Sequence, residues 1–225
     1  MEISPIAHYH GPFSSKFGIP RQSGLTTAEG RIVFTPEFRN ADALRGLDGF
    51  NYIWLIWEFS ENRDARKTPT VRPPILGGNE RVGVWATRSP FRPNNLGLSS
   101  VRISGIDLHT DEGPVIRVVG ADLMDGTPIF DIKPYVPHAD CHTDALSGFA
   151  DPRGWHTLKV EIPEEVLAAS PYTEDELQAL CDALSLDPRP HYQEDAERIY
   201  GLPFAGFDVR FRVVEDTLTV LSIQK

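Results

Sequence analysis

The sequence predicts a mainly β protein, either a barrel or a sandwich, followed by a small α+β unit. Three observations carry this prediction. The first two thirds of the chain hold short runs rich in Val, Ile, Phe and Trp, each bounded by Gly, Pro or Asn. Nineteen prolines and eighteen glycines among 225 residues favour turns and short strands over a long-helix bundle. Strong helix signals gather only after residue 160, so long helices do not alternate with the strands and a doubly wound sheet is excluded.

Taken in order, the predicted strands are Ile3–His8, Arg31–Thr35, Phe50–Phe59, Arg81–Thr87, Gly97–Asp107, Pro114–Leu123 and Thr127–Ile132, with one short helix at Ala41–Arg45. Val101-Arg102-Ile103-Ser104 alternates apolar and polar residues, as a half-buried strand does. Val115–Val119 is more continuous and reads as a central strand. His8 and His10 receive no role. Residues 137–155 are polar, rich in turn formers and without a period, which places a long loop there.

A strand over Trp155–Ile162 follows. Pro163-Glu164-Glu165 then puts a proline and two acids into a first helical turn, where they suit the helix dipole. Thr173 with Glu176 three residues later is a capping box ahead of Leu177, Leu180, Ala183 and Leu184. That helix stops before Asp187-Pro188-Arg189-Pro190, and a last hairpin joins Asp208–Val214 to Thr217–Ile223 through Glu215-Asp216. The boundary therefore falls between a first domain, residues 1–150, and a second, residues 155–225.

Composition narrows the function. The apolar run Tyr52–Trp57 is far shorter than the roughly 20 residues of a membrane helix, and the N-terminus has no basic start or apolar signal core. Cys141 and Cys181 make no disulfide framework. The expectation is a soluble cytoplasmic protein. The net charge of −10 speaks against a general polyanion binder. Its distribution matters more: residues 62–102 carry a net of +6, mostly arginine, whereas residues 151–225 carry −8. Arginine forks bind phosphates and carboxylates bidentately, so the basic segment is a candidate oxyanion site.

Several motifs carry possible chemistry. Leu76-Gly77-Gly78-Asn79 is neither a dinucleotide fingerprint nor a P-loop. Arg88 and Arg92 lie four apart in the proline-braced loop Thr87–Asn94, where stiffness limits the entropy lost on binding. Asp125-Gly126 reads as a tight turn. Beyond it Asp131, Lys133 and Tyr135 share one strand face, as a proton-handling set or as an ion pair on a solvated sheet. His138, Asp140, Cys141 and His142 are metal-ligand types in too tight a cluster for a common structural zinc site, so no metal is expected.

Together, Pro20-Arg21-Gln22, Thr70–Pro74, Leu76–Asn79, Gly83–Asn94 and Asp125–Tyr135 resemble, in order and spacing, the TrmO/TsaA-like tRNA methyltransferase family. Asp187-Pro188-Arg189-Pro190 with Phe207–Arg210 resembles the small C-terminal domain of its bacterial tRNA-modifying members. The resemblance implies a β-barrel enzyme that uses S-adenosyl-L-methionine. It further implies methylation of N6 of threonylcarbamoyladenosine beside a tRNA anticodon, and a homodimer with cofactor sites near the subunit interface. Carried over by position, cofactor contacts fall on Pro20, Arg21, Gln22, Ser60, Glu61, Arg88, Leu98, Asp122, Leu123, Met124 and Asp125. The chain departs from the family pattern at Ser60-Glu61, usually His-Gln, and at Asn95-Leu96, usually Pro-Ile.

Asp131 is the candidate base, with Tyr135 as its alternative and Lys133 as its orienting partner. Arg72, Arg81, Arg92 and Arg189 are candidate RNA contacts. On this division, removing residues 155–225 is expected to weaken tRNA binding and spare much of the cofactor affinity. Rival readings are a methyltransferase of a small molecule, a non-catalytic RNA-binding module and a metal-dependent hydrolase.

Overall fold

The computed structural model describes residues 2–62, 66–150, 156–189 and 195–225, and the counts below refer to these. The strands are β1 Ala7–His10, β2 Glu29–Phe34, β3 Tyr52–Glu58, β4 Thr70–Val71, β5 Val82–Gly83, β6 Leu96–Thr110, β7 Gly113–Val119, β8 Pro128–Pro134, β9 Lys159–Glu161, β10 Tyr200–Phe204, β11 Phe207–Val214 and β12 Thr217–Gln224. The helices are α1 Pro137–Asp140, α2 Glu164–Ala168 and α3 Glu174–Ser185. Among the described residues, no helix is long and apolar enough to cross a membrane.

Six strands close a barrel in the order β1-β2-β7-β6-β3-β8, and every neighbouring pair is antiparallel. Alternation sets the inside. Ile53, Leu55 and Trp57 of β3 are buried, while Trp54, Ile56 and Glu58 between them are partly open on the outer face. Tyr9, Ile32, Val101, Ile116, Val118, Leu123 and Ile129 complete much of the interior. Burying one such side chain contributes roughly 1.5–3 kcal/mol. The fifteen-residue β6 slips register at Ile103/Gly105 and Asp107/Thr110, the kind of irregularity that bends a strand round a barrel.

The second unit is a four-stranded sheet, β10-β11-β12-β9, with α3 packed on it. The capping box is formed: the Glu176 N–H donates to Thr173 Oγ1 at 3.3 Å, and the Thr173 N–H donates to the Glu176 carboxylate at 2.8 Å. Ala179, Leu180, Ala183 and Leu184 are buried against Leu202, Phe204, Val209, Phe211 and Val220. Four residues from the first domain enter this second core: Phe13 and Ala28 are buried in it, and Phe17 and Ile19 pack against it.

Some local expectations shift. The first strand runs Ala7–His10 instead of Ile3–His8, because Pro5 lacks an N–H to donate to a ladder. The strand expected over Arg81–Thr87 shrinks to Val82–Gly83, paired with Thr70–Val71, and then tightens into a 3₁₀ turn at Val84–Ala86. Ala41–Leu44 is also a 3₁₀ turn, capped by the Asn40 side chain. The loop expected over 137–155 opens with α1, and its residues 151–155 lie outside the described residues. The expected strand Trp155–Ile162 is seen as Lys159–Glu161, and residue 155 is likewise outside the described residues. β10 is not visible in the sequence, since Gly201 and Pro203 interrupt its pattern; it lies at the edge of its sheet, where a proline is tolerated, and beyond β11 it meets only a single bridge at Phe204.

Candidate functional site

The register brings distant motifs to one mouth of the barrel. There β1, β3 and β7 end and β2, β6 and β8 begin: His8 faces Pro128, Glu29 faces Val119, Glu58 faces Leu96 and Trp57 faces Ile129. Residues that follow or precede these strand ends therefore gather at the same place, whatever their separation in sequence.

A half-buried acid sits at this mouth. Asp122 follows β7 and accepts a hydrogen bond from Ser99 Oγ at 2.6 Å; Ser99 Oγ in turn accepts one from Trp57 Nε1 at 3.0 Å. Gly97 makes room for that indole, because a Cβ there would lie 2.3 Å from Trp57 Cε2. Burial pushes the Asp122 carboxyl above its ordinary value, while the Ser99 hydroxyl, the Asp122 and Ser23 backbones and the Arg88 charge pull the other way. Burial prevails. Behind it, the fully buried Tyr9 hydroxyl has no hydrogen-bond partner among the described residues, and burial with the nearby Asp125 and Asp122 charges pushes its phenol up.

The segment Gly11–Ala28 crosses the mouth and ties the motifs together. Gln22 Oε1 accepts a short hydrogen bond from Arg88 Nη1. The Gly24 N–H donates to Gly120 O at 2.8 Å, and the Lys16 ammonium donates to Glu61 O at 2.8 Å. The Asp125 N–H donates to Phe13 O at 2.7 Å, and the Asp125 carboxylate meets His10 Nδ1 at 3.1 Å and the Gly11 N–H at 3.2 Å. Pro20 is buried, as is Leu123 in the barrel core. Met124 O accepts from both the N–H and the hydroxyl of Thr127, which closes the turn at Asp125-Gly126. Ser60 and Glu61 form a 3₁₀ turn after β3, held by Asn95: its O accepts from the Phe59 N–H at 2.8 Å and its Nδ2 donates to Asn62 O at 3.0 Å.

Leu98 stands apart from this cluster. It points to the outer face, is 54% exposed and lies opposite Ile56, which on its other side lies opposite Asp131. Asp131 and Lys133 of β8, and Tyr135 just after it, extend along that face. Asp131 and Lys133 form an exposed ion pair at 2.9 Å. The Tyr135 N–H donates to Tyr52 O at the start of β3, so this residue is seven positions and roughly 20 Å along the strand from Pro128 at the mouth. Its ring packs on Trp54, with centroids 5.6 Å apart. Within one chain the trio does not converge on the mouth.

The arginines proposed for RNA divide. Arg72 and Arg81 are exposed beside the β4–β5 arm, and Arg81 donates to Thr70 Oγ1 and O. Arg92 donates to Thr87 O and Ser89 O and lies 5.8 Å from the centre of the Trp85 ring. Arg189 is different. Its guanidinium binds Asp187 through two 2.8 Å hydrogen bonds in a half-buried setting, with side chains 14% and 20% exposed. Its guanidinium is thus already engaged by Asp187, and its reading as an RNA contact stays a proposal. In the metal-ligand-like cluster, Asp140 accepts from Trp54 Nε1 at 3.1 Å and the Val136 N–H at 2.8 Å, which is a structural use.

The mouth's donor set fits S-adenosylmethionine: a guanidinium for a carboxylate, a half-buried acid and backbone carbonyls for a sulfonium, and apolar strand ends for an adenine. Sequence reasoning missed Ser99, Trp57 and His10. Nothing local marks them, although Ser99 follows the nominated Leu98 on the inward side of the same strand.

Comparison with known proteins supplies the family. Residues 8–141 match the tRNA-methyltransferase O N-terminal domain, and residues 156–225 match the TrmO C-terminal domain. An Escherichia coli (strain K12) protein named tRNA (adenine(37)-N6)-methyltransferase is 34% identical over 230 residues, covering 99% of this chain and 97% of its own. RcsF of Pseudomonas aeruginosa, whose name proposes S-adenosylmethionine-dependent methyl transfer, is 37% identical over 231 residues, covering 98% and 96%. A crystal structure of TrmO from Pseudomonas aeruginosa superposes with a TM-score of 0.78 at 31% identity, covering 100% of this chain and 99% of that one. One family thus matches both units in order, and a solved member shares the whole architecture: the chain belongs to the tRNA-methyltransferase O family.

Proposed function

We propose that this member of the family is an S-adenosylmethionine-dependent tRNA methyltransferase that modifies N6 of threonylcarbamoyladenosine beside the anticodon. The observation that carries the reading is the meeting at one barrel mouth of Arg88, held by Gln22, with the half-buried Asp122, held by Ser99. When bound, S-adenosylmethionine supplies an electrophilic methyl group on a sulfonium. Arg88 would grip its carboxylate, Asp122 would offset its positive charge, and Pro20 and Leu123 would border its apolar parts.

The acceptor nitrogen lies between a purine and a carbonyl, so its lone pair is delocalised and alignment must do much of the work. The same two groups make its N–H more acidic than that of plain adenosine. Asp131 and Lys133 are read as a bracing ion pair of the outer face, because they already satisfy each other away from the mouth. Arg72, Arg81 and Arg92 supply RNA phosphate contacts on the basic loops of an otherwise acidic chain. That basic surface favours RNA over a small-molecule acceptor.

The chain is further proposed to act as a homodimer. Tyr52 and Leu98, 40% and 54% exposed, flank the half-buried Trp54 and Ile56 on one outer face, a surface suited to a second copy. Leu98 would then bring the cofactor site next to that interface. The test is mass spectrometry of tRNA nucleosides from cells lacking this protein, with and without its restoration, paired with methylation of modified and unmodified tRNA in vitro. Equal methylation of plain adenosine would reject the threonylcarbamoyl reading.

A further inference from the structure

We infer that the second unit is a working part of the cofactor site, because it fixes the segment that carries Pro20-Arg21-Gln22; the inference rests on reading the barrel mouth as that site. From Gly11 to Ala28 the chain makes no helix and no ladder beyond a single bridge, so its shape depends on tertiary contacts. An irregular stretch this long is uncommon in a compact domain. Left loose, it would have to be ordered each time a ligand bound, and the lost chain entropy would weaken binding.

The second unit supplies those contacts before, at and after the motif. Before it, the Ala205 N–H donates to Pro12 O at 2.8 Å, Phe13 bridges to Phe204 with ring centroids 5.4 Å apart, and Phe17 stacks on Phe211 at 6.4 Å. Gly18 has a φ of +86° and lies so close to Leu202 that a Cβ there would be 2.2 Å from its Cδ1. At the motif, partial burial draws the Arg21 guanidinium down from its ordinary value and the Asp187 charge opposes that. After it, the Thr27 N–H and hydroxyl both donate to Asp182 Oδ2, at 2.8 and 2.7 Å, while Asp182 Oδ1 is held by Gln178 Nε2 at 2.8 Å. A cleft of about 220 Å³ between the Lys16–Arg21 stretch and the end of α3 follows this seam.

The units are therefore separate in sequence and continuous at the site. Removing the second would strip Phe13, Phe17 and Ile19 of their packing. That reverses the expectation that cofactor affinity survives without residues 155–225. Asp182 is the clearest positioning residue, since it touches the segment at Thr27, five residues beyond Gln22.

The experiment uses the full chain and measures S-adenosylmethionine affinity by calorimetry, well below each variant's melting temperature. Asp182→Ala should weaken cofactor binding about fivefold to tenfold, the loss of two hydrogen bonds to a charged acceptor being partly compensated by water. Asp182→Asn should restore most of it, because its remaining oxygen can still accept from Thr27 and the Gln178 amide can turn over. Gly18→Ala, which drives the segment off Leu202, should weaken it at least as much. Lys159→Ala, at an exposed ion pair elsewhere in the second unit, should leave it unchanged. Arg88→Ala reports on the underlying reading. If Arg88→Ala weakens binding while Asp182→Ala and Gly18→Ala bind as wild type does, the second unit has no positioning role and the inference fails. If Arg88→Ala also binds normally, the mouth is not the cofactor site.

Discussion

Two sets of residues, one at the barrel mouth and one on the outer face of β8, were both candidates for chemistry, and the fold treats them differently. The mouth collects Gln22, Glu61, Arg88, Asp122 and Asp125 from four separate stretches, joined by hydrogen bonds through Gly11–Ala28. Asp131, Lys133 and Tyr135 are neighbours in sequence, yet period two strings them along a strand instead of closing them on a point. Nearness in sequence gave them a common face. Convergence came from strand ends that antiparallel pairing brings to one rim.

The largest effect that sharpens this contrast is electrostatic. If the basic loops beside the mouth contact RNA phosphates, tRNA affinity should fall at least tenfold between 50 and 200 mM salt, in filter binding or anisotropy, as released counterions require for only a few phosphate contacts. A flat salt response would break the link between mouth and RNA. Arg88→Ala comes next: losing a charge-assisted hydrogen bond costs ~1.5–3 kcal/mol, so cofactor affinity should drop roughly tenfold to a hundredfold in calorimetry.

Asp122→Asn should separate binding from stability. Burial makes the folded protein hold this carboxyl protonated to a higher pH than the unfolded chain does. Ionising it therefore costs native stability, a penalty complete above the folded value and gone below the unfolded one. The asparagine should raise the melting temperature by a few degrees at neutral pH, lose that advantage in acid, and weaken the cofactor several-fold. A melting temperature that falls equally at both pH values would show that the charge is not the issue. The smallest effect belongs to the outer face: Asp131→Asn should change cofactor affinity by less than about twofold, as an exposed ion pair warrants.

The barrel was legible where alternation was clear. β3, β6, β7 and β8 fall within a few residues of expectation, and the capping box of α3 could be read from Thr173 and Glu176 alone. Choosing a barrel over a sandwich required the family resemblance, since closure depends on β1 pairing with β8 across more than a hundred residues. The strand over Arg81–Thr87 failed because apolar content cannot reveal that its pairing partner is only two residues long. The site was legible as separate motifs. What holds them was hidden: Ser99 and Trp57 act through contacts set by the pairing of β6 with β3 and β7, and Asp182 reaches Thr27 across 155 positions. Arg189 shows the converse, a residue fixed between prolines in the sequence whose charge is directed to Asp187.

The proposed cofactor site lies where the barrel mouth, the Pro20-Arg21-Gln22 segment and Asp122 meet. Hydrogen exchange followed by mass spectrometry, with and without saturating S-adenosylmethionine, tests it most directly. Cofactor bound there should bring new protection over residues 18–24, 86–89 and 120–125, extending weakly to Thr27 and its neighbours against α3. Protection confined to residues 130–135, with residues 18–24 and 120–125 exchanging as in the free protein, would contradict it.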